Sequence, residues 1–277
     1  MEKINVIKNT GEIVWFDPSK LKQSLIRSGA SEIDADSVTA TICNNITEGM
    51  TTHKIYRLAY DLLKKKSGKI AGRYKLKKAI FEMGPTGYPF ERLVSELLRN
   101  KGFETKSGII MDGLCIQHEV DVYAKNNNKV IFAECKFHND QHKKSDVKVS
   151  LYVKSRFEDL KSQHIKSNSK VKNYEGWVVT NTRFTSDATK YGNCAGLKLV
   201  SWDYPKNGNL RQMIDASGFH PITTMQSLTK KEKGILLEKE VILCRQINDN
   251  IQLLDKMGLS TRRVSKVMDE AKQITES

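Results

Sequence analysis

Residues 118–138 read HEVDVYAKNNNKVIFAECKFH, and this stretch decides the fold. Two runs of alternating polar and apolar residues flank an Asn-rich turn. Side chains alternate across a strand, so residues two apart share a face. Ile131, Ala133, Cys135 and Phe137 fall on one face of the second run, and Phe132, Glu134, Lys136 and His138 on the other. Asp121 stands between Val120 and Val122 and is expected to face away from both. If KNNNK closes an antiparallel hairpin, Asp121 and Glu134 become neighbours on one sheet face.

Two carboxylates held close repel each other, and a divalent cation is the natural way to offset that. Mg²⁺, or Mn²⁺ in its place, prefers oxygen donors and is held by one or two carboxylates plus waters and phosphate oxygens. Such an ion activates water and stabilises charge building on a phosphoryl group. A lysine beside it orients or deprotonates the attacking water, or stabilises the anion of the transition state. The bland alternative is a surface hairpin with solvated charges, and an E-x-K triplet alone has little weight in a chain that is 28% charged.

Working outward, PFERLVSELLRNKGF places Phe90, Leu93, Val94, Leu97 and Leu98 on one helical face. Strands follow at FETKSGII, HEVDVYAK and KVIFAECKF, then a helix over about 146–164, a strand at EGWVVTN, a helix at TSDATKYGNCAG and a strand at LKLVSWDY. Hairpins require antiparallel pairs and the later crossovers favour parallel ones, so the expected fold is α/β with a mixed sheet flanked by helices. Thr180 and Asn181 end one strand, as a plain turn or as contacts to phosphate.

This order of elements, with Asp121 and Glu134-Cys135-Lys136, resembles the PD-(D/E)xK nuclease superfamily. More narrowly it looks like the Mrr-like restriction endonucleases, whose first core helix often carries a Phe-Glu pair, here Phe90-Glu91. The resemblance implies a metal-dependent DNA endonuclease with Asp121, Glu134 and Lys136 catalytic. Glu91 joins Asp121 and Glu134 as a metal ligand, its bland alternative being an acid that favours a helix N-terminus. His118 holds a position that is often polar in that group.

The first 84 residues form a separate unit. VIKNTGEIVWFDPSKL reads as a hairpin running into a helix, and three more helical patterns follow before Gly84, Pro85, Gly87 and Pro89 mark a linker. Ser19 is the expected cap of the first helix, and Gly29, Gly49 and Gly68 the expected stops of the first three. The hairpin, GMTTHKIY and AGRYKLKKAI resemble the ATP-cone, a regulatory nucleotide-binding domain, over about residues 3–82. The opening pattern of the family stands here as Val6, Lys8 and Gly11, its later Asp and Lys as Asp17 and Lys20, and its helix-start threonine as Thr52. Where the family usually has Arg, this chain has Asn9. The resemblance implies an ATP or dATP site drawing on Val6, Lys8, Asn9, Lys20, Thr52, Ile55 and Arg73. Core packing is the commoner use of such an Ile, and the basic run 64–78 equally suits a solvated or DNA-facing patch.

The third unit, 219–277, reads as helical, with a capping box at Thr229 and Glu232 and a turn at Gly258. Lys230, Lys231, Arg262 and Arg263 are its candidate phosphate contacts, with packing or oligomerisation as the alternative role. The units 1–84, 85–218 and 219–277 thus give a multidomain α/β chain. The net charge of +14 suits a polyanionic partner. Five widely spaced cysteines without a CxxC argue against a disulfide framework or structural zinc, and are expected to be small buried hydrophobes. With no membrane-length apolar run and no signal-like N-terminus, the expectation is a cytoplasmic, homo-oligomeric protein.

The function expected from sequence is a restriction-type endonuclease acting on double-stranded DNA and tuned by ATP or dATP. The alternatives are a nucleotide-responsive DNA-binding regulator with an inactive nuclease fold, and an RNA-directed nuclease.

Overall fold

The computed structural model describes residues 4–8, 10–167 and 171–275. In the first unit, β1 (Asn5–Ile7) pairs antiparallel with β2 (Ile13–Trp15) and parallel with β3 (Met50–Thr51). Around this small sheet pack α1 (Pro18–Arg27), α2 (Glu32–Asn45), α3 (Thr52–Lys66), α4 (Gly68–Tyr74) and α5 (Leu76–Phe81). Leu25, Ile42, Ile55, Ala59 and Leu63 form much of its core. The cap of α1 is Asp17, whose carboxylate accepts from Ser19 N; Pro18 takes the first helical position, which displaces the expected Ser19. Gly68 opens α4 rather than stopping α3, because Ser67 both ends α3 and caps the next helix through its hydroxyl.

The central unit is mixed α/β. It runs α6 (Tyr88–Asn100), β4 (Glu104–Asp112), β5 (Gln117–Lys125), β6 (Lys129–Lys136), β7 (Lys144–Ser145), α7 (Val147–Ser167), β8 (Asn173–Thr180), β9 (Arg183–Phe184), α8 (Ser186–Cys194), β10 (Lys198–Val200) and α9 (Leu210–Ser217). The main sheet has the order β10-β8-β6-β5-β4. Its two hairpin pairs are antiparallel, and the β6–β8 and β8–β10 crossover pairs are parallel. The short β7 and β9 pair apart from it. Phe90, Leu93, Val94, Leu97 and Leu98 of α6 are buried on one face of the sheet. Val153, Phe157 and Leu160 of α7 are buried on the other. Burying a side chain of that size stabilises by roughly 1.5–3 kcal/mol, so these two stripes fix both helices.

The third unit holds α10 (Lys230–Glu238), α11 (Ile251–Lys256) and α12 (Thr261–Thr275), with 3-10 turns at Ile222–Thr224 and Cys244–Asn250. Its apolar residues, including Ile222, Leu236, Ile247 and Val267, share one continuous core with α5, α6 and the α6-facing side of the sheet. Thr223 Oγ1 donates to Ala79 O at 2.7 Å, and Lys233 Nζ to Thr223 O at 3.1 Å. Arg263, expected at phosphate, is instead committed to Glu232 and to Ser227 O. Of the cysteines, all free, only Cys135 and Cys244 are buried; Cys43 is half-buried, and Cys115 and Cys194 sit in turns or helix ends that face outward. Among the described residues no helix is long and apolar enough to cross a membrane.

Candidate active site at the parting of two strands

The site forms where β5 and β6 separate. The hairpin closes as an Asx turn, with Asn126 Oδ1 accepting from Asn128 N at 3.0 Å and Lys129 N at 2.8 Å. From there the ladder runs through Ala124↔Ile131 and Tyr123↔Phe132 and ends at Val122↔Ala133. That register brings Asp121 beside Glu134. The Asp121 carboxylate then takes the next main-chain donor, with Cys135 N donating to Oδ2 at 2.7 Å.

The expected alternation along β5 fails at this point. Val122 belongs to the core under α6, whereas Val120 belongs to the core under α7. The paired strand β4 reverses at the matching place, since Thr105 meets Ser95 of α6 while Ile109 and Met111 pack on the α7 side. Gly108, with φ +59°, lies between Ser107↔Val122 and Ile109↔Val120, and supplies the left-handed conformation that the reversal needs. Both strands therefore turn over together, and Asp121 sits at the turnover. A strict period-2 reading could not show this.

Glu134 is 7% exposed and meets two cations. Lys136 Nζ lies 2.6 Å from Oε1 and Arg156 Nη1 2.6 Å from Oε2. Among the described residues Asp121 and Glu91 form no ion pair of that kind, though Lys136 and Arg156 lower Asp121, and Lys136 lowers Glu91, through space. Burial and the Glu134 charge push the Asp121 carboxyl up to about 6, against the Cys135 N–H that lowers it. Glu91, in the first turn of α6, is raised to about 7 by burial and by Asp121, Glu119 and Glu134. Burial alone would depress the Lys136 amine, but its bond to Glu134 and the charges of Glu134 and Asp121 raise it. Lys136 is thus held as a cation.

Glu91, His118, Asp121, Glu134, Lys136 and Arg156 line one cavity of about 580 Å³. Arg156 was missed in the sequence. It stands three residues after Val153 and one before Phe157, so the buried stripe of α7 carries it towards the sheet; its guanidinium also lies 5.1 Å from the Tyr152 ring centre. His118 Nε2 contacts Asp159 Oδ2 at 2.8 Å, and Asp159 also accepts from Cys115 N and Ile116 N. Those bonds draw the turn before β5 onto α7, and a Cβ on Gly113 would overlap the Asp159 carboxylate. Thr180 and Asn181 are fully buried and clamp the end of β6. Thr180 Oγ1 donates to Lys136 O at 2.7 Å, and Asn181 bonds both His138 N and His138 O. Their polar groups are thus used within the fold, at the strand end that carries Lys136.

The donors that converge here are oxygens, which suits a hard cation. Burial and repulsion among the acids keep Asp121 and Glu91 raised although Lys136 and Arg156 lower Asp121 and Lys136 lowers Glu91. Among the described residues no group of three or more His, Cys, Asp or Glu side chains is placed to hold a metal ion, so Glu91, Asp121 and Glu134 are not gathered as a three-carboxylate site.

The residues expected at nucleotide do not converge in the same way. Val6 and Ile55 are buried in the core of the first unit, so packing is the use the fold makes of them. Lys8 pairs with Glu12 at 2.9 Å, and the Lys20 side chain is 83% exposed. Arg73 lies close to Gly29, Thr52 lines a cleft, and Asn9 is outside the described residues.

Residues 220–275 match the family model described as AF1548-like, C-terminal. An uncharacterized protein of Archaeoglobus fulgidus is 31% identical over 182 residues, which covers 65% of this chain and 99% of that protein. A solved structure, titled as the crystal structure of the protein of unknown function AF1548, superposes with a TM-score of 0.56 at 31% identity, over 69% of this chain and 98% of its own. The MspJI restriction endonuclease in complex with a 27-mer oligonucleotide matches at 16% identity and a TM-score of 0.35, over 62% of this chain and 36% of its own, a likeness too slight to carry an argument.

Proposed function

The chain belongs to the AF1548-like family, and from that premise and the geometry above we propose that it is a metal-dependent DNA endonuclease. One observation carries the reading: Asp121, Glu134 and Lys136 meet where two strands part, in a cavity whose acids Asp121 and Glu91 stay raised by burial and by the charge of neighbouring acids even though Lys136 and Arg156 act against it.

Asp121 and Glu134 would hold Mg²⁺ or Mn²⁺, with Glu91 as a third oxygen donor. The ion, when bound, supplies Lewis acidity and a lowered pKa for its water. The chain does the rest. Arg156 and Lys136 fix the Glu134 carboxylate, while the Thr180–Asn181 clamp fixes the backbone from which Lys136 projects. Lys136, held protonated, favours the anion that builds on the phosphoryl oxygens over the uncharged-base role. The proton that the attacking water gives up passes to solvent, since Glu91 is taken up as a donor to the ion. The water oxygen forms the new P–O bond, the bridging P–O bond breaks, and the leaving oxygen takes a proton.

The net charge of +14 supports a polyanionic substrate. The hairpin-and-helices unit before the linker supports the finer reading that ATP or dATP tunes the activity, which requires different nucleotide affinity in two states of the protein. The direct test is cleavage of supercoiled plasmid and of RNA with Mg²⁺, comparing the natural chain with Asp121→Ala and Lys136→Ala. Cleavage that both substitutions abolish is expected; equal cleavage by all three proteins overturns the assignment, and cleavage of RNA alone moves it to the other nucleic acid.

A further inference from the structure

The fork that holds the acids has a second limb, which the cleavage described above leaves unused. β5 and β6 last pair at Val122↔Ala133. Beyond that point each strand pairs only with its outer neighbour, β5 with β4 through Met111↔His118, and β6 with β8 through Lys136↔Thr180. His118 and Lys136 therefore stand on two diverging limbs, with Asp121 and Glu134 where the limbs part. Both line the same cavity.

The His118 imidazole is held from behind by α7. The Asp159 carboxyl is drawn down to about 2 by its bonds to His118, Cys115 and Ile116, against the effect of burial. An ionised carboxylate only accepts, so the 2.8 Å contact fixes a proton on His118 Nε2. Nδ1 is then the nitrogen free to gain and lose a proton. Among the described residues it has no hydrogen-bond partner, and it is not sealed from the cavity.

A latch for the turn before β5 does not need this imidazole. Three main-chain donors already tie that turn to α7: Leu114 N to Asp159 O at 3.1 Å, and Cys115 N and Ile116 N to the Asp159 carboxylate at 2.9 and 3.4 Å. What the bond to His118 adds is orientation of the ring. One face of α7 serves both limbs, because Arg156 fixes Glu134 on β6 and Asp159, three residues on, fixes His118 on β5.

We propose that His118 is a further catalytic residue, the general acid whose Nδ1–H protonates the leaving oxygen, with Asp159 as its positioning residue. In an in-line displacement the attacking and leaving oxygens lie on opposite sides of phosphorus, and the two limbs set Lys136 and His118 on opposite sides of the gap. As the bridging P–O bond breaks, its electron pair stays on the leaving oxygen, which takes the Nδ1 proton. The neutral imidazole, still bonded through Nε2, regains a proton from solvent. This inference rests on the nuclease reading.

Sulfur in place of the leaving oxygen tests it, because a thiolate leaves without a proton. The ends of the products from a short duplex show which bridging oxygen leaves, and that atom is replaced; Mn²⁺ is used with both substrates. On oxygen, single-turnover cleavage should fall by about 10²-fold in His118→Ala and by about tenfold in Asp159→Asn. On sulfur, both variants should come within about threefold of the natural chain, while Lys136→Ala stays slow on both substrates. Equal losses on oxygen and sulfur overturn the proposal, since a structural role predicts them, and so does full activity of His118→Ala on oxygen. If Lys136→Ala is inactive and His118→Ala is not, the general acid alone falls. If the natural chain cleaves neither substrate, the nuclease reading falls and takes this inference with it. Proton–nitrogen correlation spectra of the metal-free chain give a readout without turnover. The imidazole signal that His118→Ala removes should show Nε2 protonated, and Asp159→Asn should weaken that preference; a neutral ring protonated on Nδ1 in the natural chain overturns the proposal. Thermal melts establish that each variant is folded, and Asp159→Asn carries the test if His118→Ala is not.

Discussion

Glu232 and Asp121 are both partly buried carboxylates that accept a main-chain N–H, yet they lie at opposite ends of the titration range. Glu232 accepts from Thr229 N at 2.7 Å and from both Nη atoms of Arg263, and that guanidinium holds its carboxyl down at about 2. Asp121 accepts from Cys135 N at the same distance and is pushed up to about 6. The difference is how cations are shared. Arg263 is committed to Glu232, so that pair is closed. Lys136 and Arg156 both pair with Glu134; they act on Asp121, and Lys136 on Glu91, only through space, too weakly to outweigh burial and the neighbouring acids. A closed pair holds structure together; an open cluster waits for another cation.

The largest expected effect separates the two places by activity. Asp121→Ala should lower single-turnover cleavage by roughly 10³-fold, the usual loss when a group that stabilises transition-state charge is removed. Glu232→Ala should leave the rate of folded protein within about twofold, since it lies outside the cavity. The contrast fails if both substitutions lower the rate alike.

The next effect reverses the order, because stability is read instead. Glu232→Ala removes half of a capping box and leaves Arg263 unpaired, and should destabilise by about 1–2 kcal/mol in urea unfolding at pH 7. The sign of its pH dependence follows from a depressed carboxyl. The contribution of Glu232 is present above the ordinary Glu value of about 4.3 and fades as pH falls through about 2. The natural chain and Glu232→Ala should therefore converge on acidification. Curves that stay parallel from pH 7 to pH 3 would show that Arg263 does little for Glu232.

A smaller shift comes from the metal. Mg²⁺ should raise the melting temperature by a few degrees at pH 8 and by less at pH 5.5, where protons compete for Asp121 and Glu91. The shift should vanish in Asp121→Ala and persist in Glu232→Ala. A shift independent of pH would place the ion elsewhere.

These contrasts also show what the sequence could and could not reveal. The α6 stripe from Phe90 to Leu98, the Asn-rich turn and the mixed sheet were all legible, because each is a local period or a local turn signal. The Glu134–Lys136 contact was legible for the same reason, as two residues on one side of one strand. The reversal at Asp121 was not, since it depends on Gly108 in a different strand and on both strands turning together. Arg156 comes from a helix 22 residues further on and enters the site only through the tertiary packing of α7. The expected Ser19 cap failed because Asp17, two residues earlier, offers a better acceptor beside Pro18. Arg263 looked like a free basic residue until α12 brought it to Glu232.

The smallest effect isolates Glu91, the acid with the least support from any cation. Its raised value means that the folded protein holds a proton which the unfolded chain has already lost between about pH 4.3 and pH 7. The stabilising contribution of Glu91 is therefore complete below the ordinary Glu value and is lost as pH rises through about 7. Glu91→Gln keeps the shape of the protonated acid and cannot ionise. Without metal it should match the natural chain at pH 5 and exceed it at pH 8.5, by under about 1 kcal/mol because the group is half-buried and solvent screens it. With Mg²⁺ the order should reverse, since the ion restores the value of a charge that Gln lacks. If the two proteins show the same stability from pH 5 to pH 8.5, Glu91 is a solvated helix-start acid, and the open cluster reduces to Asp121 beside a Glu134 already satisfied.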